Sequence, residues 1–97
     1  MDMQELPFVR DKDYWCPQDE TGDWGKDNAV GRAYARALVD ATDDEELPLV
    51  FGRVMQAIIA KGHCGGIATG FFFALGGMIA QGRYPLVTLD PDLVLAA

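Results

Sequence analysis

The chain has 97 residues, 49% of them hydrophobic and 24% charged, with a net charge of −7. That is the length of one domain with the composition of a folding one, which argues against global disorder. The acidity also argues against direct nucleic-acid binding and against anionic membrane surfaces, both of which need Lys and Arg.

The charge is uneven. Residues 1–46 hold 13 acidic against 5 basic side chains, a net of −8, whereas residues 47–97 hold 2 against 3, a net of +1. An acidic half precedes a nearly neutral, apolar half. Two cysteines, Cys16 and Cys64, are too few for a disulfide framework or a four-cysteine zinc site. Met1 is followed by acidic residues and no apolar leader, so the expected location is cytoplasmic, with both thiols reduced.

From Met1 to Lys26 there is no sustained period, and Pro7, Pro17, Gly22 and Gly25 break the chain. This reads as an irregular arm, with one short strand expected near Leu6–Arg10. Phe8, Tyr14, Trp15 and Trp24 make it aromatic. Those rings serve either to clamp the arm onto helices or, at Trp15 or Trp24, to anchor a partner.

A first helix is expected over 28–41, capped by Asp27 or Asn28, with Val30, Ala33, Tyr34, Ala37, Leu38 and Ala41 at helical spacing. Arg36 and Asp40 form a surface pair one turn apart, with Arg32 a turn before them. Thr42 to Glu46 is the turn and acidic start of a second helix over 47–61, whose stripe is Leu47, Val50, Phe51, Val54, Met55, Ile58 and Ile59. Pro48 suits its first turn and Gly62 its end.

The third helix, over 66–81, lies in a run from Cys64 to Ala80 that carries no charge. Phe71, Phe72 and Phe73 fan across about 200° of its circumference, so one face cannot hide all three. Gly66, Gly70 and Ala74 form a small-residue stripe that invites another backbone to approach, and Gly76 with Ala80 forms a shorter one. Beyond Gly82, Leu86–Leu89 reads as extended and Asp90-Pro91-Asp92 as the start of a last helical turn.

Chemical motifs are scarce. The uncharged window of about 20 residues approaches the length of a membrane span, but its glycines and Gln81 dilute it, and a buried central helix is expected instead. His63-Cys64 is not a phosphatase loop, because Gly70 stands where the anion-clamping arginine is required. Asp11-x-Asp13 lacks the further ligands and glycine of a calcium loop, and the glycines near Cys64 match neither a dinucleotide nor a P-loop pattern. No cofactor or metal is implied. Cys64 is expected to be a small buried residue, inert because no second histidine exists to serve as its base.

The expected fold is mainly α: a compact three-helix domain, the third helix central, with an irregular aromatic N-terminal arm and a short C-terminal tail. The expected function is a small acidic protein-binding module, not an enzyme: an inhibitor or regulator occupying a basic, nucleic-acid-binding surface of a partner protein. Asp19, Glu20, Asp23, Asp43, Asp44, Glu45 and Glu46 would supply charge, and Trp15 or Trp24 the anchor. In charge and size the chain is similar to small acidic phage proteins that block nucleic-acid-handling complexes, anti-CRISPR proteins among them. That similarity is one of composition, not of motif. A thiol-dependent enzyme or redox sensor using Cys64 is the alternative. Self-association is also expected, as a homodimer with Phe72 at the contact, unless the arm covers that side of the third helix.

Overall fold

A computed structural model describes residues 6–81. Three helices form: α1 over Trp24–Ala41, α2 over Glu46–Lys61 and α3 over Gly66–Ala80. The described residues contain no strand. In place of the strand expected near Leu6–Arg10 there is one tight turn, in which Arg10 and Asp13 exchange both backbone hydrogen bonds (3.0 and 2.8 Å). The extended and helical segments expected within 84–97 lie outside the described residues.

α1 starts four residues earlier than expected. Its N-cap is Asp23, whose carboxylate accepts from the Lys26 N–H (3.1 Å). Asp27 and Asn28, expected as caps, lie inside the helix and are buried. The buried face is also rotated: it runs through Gly31, Tyr34, Ala35, Leu38 and Val39, while Ala33 is exposed. The cause is α3. A Cβ on Gly31 would lie 2.6 Å from the Phe71 backbone nitrogen, and one on Gly70 would lie 2.7 Å from the Asn28 Cα. The expected Gly66–Gly70 stripe is thus pressed against α1 backbone to backbone. Contacts advance together along both helices, Gly66 meeting Asp27 and Gly70 meeting Asn28 and Gly31, so the two run in the same direction.

α2 packs differently, through large side chains. Leu47, Val50, Val54 and Ile58 are buried, and Phe51 stacks on Phe71 at 6.3 Å. Its apolar stripe is narrower than expected, with Met55 at the border and Ile59 exposed. The helix opens on a capping box: the Asp43 carboxylate accepts from the N–H groups of Glu45 (2.9 Å) and Glu46 (2.7 Å), and the Glu46 carboxylate accepts from the Asp43 N–H (3.1 Å). It closes at Gly62, whose φ of 69° is left-handed and whose N–H reaches the Ile59 carbonyl.

The arm completes the core. Phe8 is fully buried, with its ring 5.5 Å from Trp15, 5.1 Å from Tyr34 and 5.7 Å from Phe71. Trp15 is 4% exposed and 5.3 Å from Phe71. The three phenylalanines of α3 divide accordingly: Phe71 is buried, Phe72 half-buried against Phe51, and Phe73 exposed. Lys61, in the last turn of α2, ties the arm down by donating to the Asp13 carboxylate (2.7 Å) and to the Trp15 carbonyl.

The glycines of α3 separate into two kinds, and substitution reads the difference. Gly70→Ala is expected to destabilise by about 1–3 kcal/mol, because backbone must move to admit the methyl group. Gly76→Ala, which meets nothing within 4 Å, is expected to stabilise by roughly 0.5–1 kcal/mol through helix propensity. Urea denaturation of the two variants measures both.

The Lys61 contact predicts an acid dependence. Its ammonium, then the Trp15 N–H, lower the Asp13 carboxyl from 3.8 to about 2. A carboxyl depressed on folding stabilises fully above its unfolded pKa and ceases to as pH falls through its folded one. The contribution is therefore lost between about pH 4 and pH 2. With both side chains 41% exposed, solvent screening keeps it under about 1 kcal/mol. Lys61→Met should flatten the stability profile across that window.

Candidate acidic and aromatic surface

The acidic residues singled out in the sequence fall into two groups at opposite ends of α1, a helix of 18 residues and so about 27 Å long. Asp43, Asp44, Glu45 and Glu46 form the turn into α2. Two of them, Asp43 and Glu46, are engaged in the capping box, which leaves Asp44 and Glu45 as its outward-facing charge. Asp19, Glu20 and Asp23 lie in the loop before α1, beside Trp24. The structure does not bring the two groups together.

The loop before α1 is held by Asp27. Its buried carboxylate accepts from both the N–H and the hydroxyl of Thr21 (2.9 Å each), and Thr21 accepts in turn from the Asp23 N–H (3.1 Å). The Thr21 N–H holds the Asp27 carboxyl below the usual range, against the opposing effect of burial. Upstream, the Gln18 N–H donates to the Tyr34 hydroxyl (3.1 Å). Residues 18–23 are therefore tethered to α1 at two points.

That tether lays Glu20 and Trp24 against the start of α3. The Glu20 carboxylate occupies the space a Cβ on Gly65 would need, and the Trp24 ring edge lies 3.4 Å from where one would sit on Gly66. His63 Nε2 is 3.7 Å from the Glu20 carboxylate. A shallow cavity of about 330 Å³ opens here, lined in part by Pro17, Asp19, Glu20, His63, Gly65 and Ile67. Trp24 is 60% exposed beside it. An exposed indole among carboxylates offers a cationic side chain both a π face and counter-charges.

The two tryptophans are not equivalent. Trp15, expected with Trp24 as one of two possible anchors, is a core residue, 4% exposed with its ring in the aromatic cluster. Phe72, the expected dimer contact, is half-buried, and the aromatic that α3 turns outward is Phe73, 69% exposed. Sequence reading missed the part played by Asp27. The short spacing of Thr21, Asp23 and Asp27 is the signal of a loop folded back on a helix start.

Cys64 is exposed, not buried as expected, because the loop between Gly62 and Gly65 runs outside the core. Its sulfur lies 4.0 Å from the Thr69 hydroxyl, while His63 faces Glu20. Cys16 is half-buried, and burial followed by the Asp13 carboxylate pushes its thiol up. Among the described residues no group of three or more His, Cys, Asp or Glu side chains is placed to hold a metal ion, and no helix is long and apolar enough to cross a membrane. No family model matches the chain, and neither a curated protein nor a solved structure is significantly similar to it.

The two thiols should differ in reactivity. Iodoacetamide on the folded protein is expected to label Cys64 first, with Cys16 slow until denaturant is added, since the thiolate is the nucleophile. Peptide mass spectrometry over a time course gives the order.

Proposed function

We propose that the chain is a small acidic protein-binding module, an inhibitor or regulator that docks on a basic, nucleic-acid-binding surface of a partner protein. The observation that carries this reading is Trp24, 60% exposed within the loop of Asp19, Glu20 and Asp23 that Asp27 holds in place. Large exposed indoles are uncommon on a folded surface and are favoured as interface anchors. Carboxylates around one select a Lys- or Arg-rich counterpart and steer its approach. The same charge, −7 in all, makes the module a competitor of nucleic acid for such a surface. The turn at Asp44 and Glu45, at the far end of α1, is secondary in this reading.

A thiol-dependent enzyme or redox sensor is the second reading, and the exposure of Cys64 is the observation that favours it. Its cost is the lack of a base, since the one histidine is turned to Glu20.

The test is capture of the partner from source cells, followed by calorimetry with the purified pair. Trp24→Ala is expected to weaken binding by at least about 2 kcal/mol, roughly thirty-fold in Kd. Asp19→Lys with Glu20→Lys should weaken it further and reduce its salt dependence, and nucleic acid should compete. A partner whose affinity ignores Trp24 and salt but vanishes in Cys64→Ser favours the thiol reading.

A further inference from the structure

Lys61, the last residue of α2, gathers three residues of the arm around one ammonium group. It donates to the Asp13 carboxylate (2.7 Å) and to the Trp15 carbonyl, and its Nζ lies 4.0 Å from the Cys16 sulfur. The two oxygens account for its hold on the arm. The sulfur adds little to that hold, yet it touches a nitrogen that comes from 45 positions further along the chain.

We propose that Cys16 and Lys61 form a modification site, at which hydrogen peroxide joins them by a sulfur–nitrogen bond and fastens the arm covalently to α2. Fixed geometry is the first argument. The Cys16 N–H donates to the Phe8 carbonyl (2.7 Å) and the neighbouring Trp15 is packed in the core, so the sulfur is held in place. Torsions of the four-carbon Lys61 stem suffice to close a gap of 4.0 Å to a bond. The second argument is the residue that follows. A cysteine sulfenic acid condenses with a thiol or with a backbone nitrogen. Here the next residue is Pro17, whose nitrogen carries no hydrogen, so that backbone route is closed. The third is access: Cys16 is half-buried, open to a molecule as small as peroxide and shielded from bulkier thiols.

Two steps make the bond. The Cys16 thiolate attacks one peroxide oxygen; an S–O bond forms, the O–O bond breaks, and hydroxide departs and becomes water. Sulfur loses two electrons and peroxide gains them. Lys61, its ammonium proton released to solvent, then attacks the sulfur; the S–N bond forms, the S–O bond breaks, and hydroxide leaves as water with a proton of the amine. The first step is slow, because burial and then the Asp13 carboxylate push the thiol up and keep the thiolate scarce. The second is fast, because a nitrogen already in contact has an effective concentration far above that of any dissolved thiol. Oxidation thus converts a solvent-screened tie into a cross-link, and a reducing thiol that attacks the sulfur, with the amine leaving, restores the free pair.

The experiment uses the full chain carrying Cys64→Ser, so that a disulfide between the two cysteines cannot mimic the product. After hydrogen peroxide, intact mass is expected to fall by about 2 Da, two hydrogens, with peptide mapping placing Cys16 and Lys61 in one cross-linked product. The melting temperature should rise by about 10 °C or more, as for a link closing a loop of this length. Dithiothreitol should reverse both changes. Lys61→Arg, which keeps the positive charge but offers no amine, should show neither the mass loss nor the rise. A Cys16 that passes to the sulfinic acid with Lys61 unmodified overturns the proposal. So does one that stays a thiol at a peroxide level that fully oxidises the urea-unfolded chain.

Discussion

Everything in this structure depends on the contact of α1 with α3 at Gly31 and Gly70, where two backbones meet with no side chain between them. Such an approach is open only to glycine, and it brings the peptide groups of both helices into van der Waals contact where they cross. Each glycine costs up to about 1 kcal/mol of helix propensity relative to alanine. The close packing offsets it. Because α1 and α3 lie so near each other, they act as one slab, and the remaining elements are arranged on it.

The slab explains how an uncharged helix with three consecutive phenylalanines is covered. α1 covers one side of α3, and the arm and α2 cover another through rings, Phe8 and Trp15 from the arm and Phe51 from α2 converging on Phe71. Edge-on, tilted and stacked ring pairs of this kind add to the area they bury. The arm therefore belongs to the core, and Lys61 of α2 secures it with a charged hydrogen bond to Asp13. Among the described residues, the side of α3 that carries Phe73 is left exposed.

Charge in the acidic half does more than one job. Asp23, Asp43 and Glu46 satisfy N–H groups at helix starts, and Asp27 holds a loop from inside. These carboxylates are part of the fold and complement the positive ends of the helix dipoles. Asp19 at one end and Asp44 and Glu45 at the other face outward, and Glu20 lies 3.7 Å from His63. Counting acidic residues in the sequence could not separate the two kinds, because a capping carboxylate and a binding carboxylate are the same residue type.

What the sequence determined by itself is what local physics controls. Helical periods, the proline in the first turn of α2, the glycine at its end and the small-residue stripe of α3 act within a few residues of one another, so they are legible along the chain. The mainly α fold, the burial of Phe71 and Leu75, and the arm lying over α3 follow from them. Tertiary structure alone decided the rest. Hydrophobic periodicity does not register glycine, so the packed face of α1 became Gly31 and Ala35 only once α3 was there to meet them. Trp15 and Trp24 are chemically identical, and which of them is buried depends on distant partners, Phe8, Tyr34 and Phe71 for the one and Gly66 for the other. The exposure of Cys64 and the separation of the acidic groups by the length of α1 are likewise relations between elements, and no single stretch of sequence contains them.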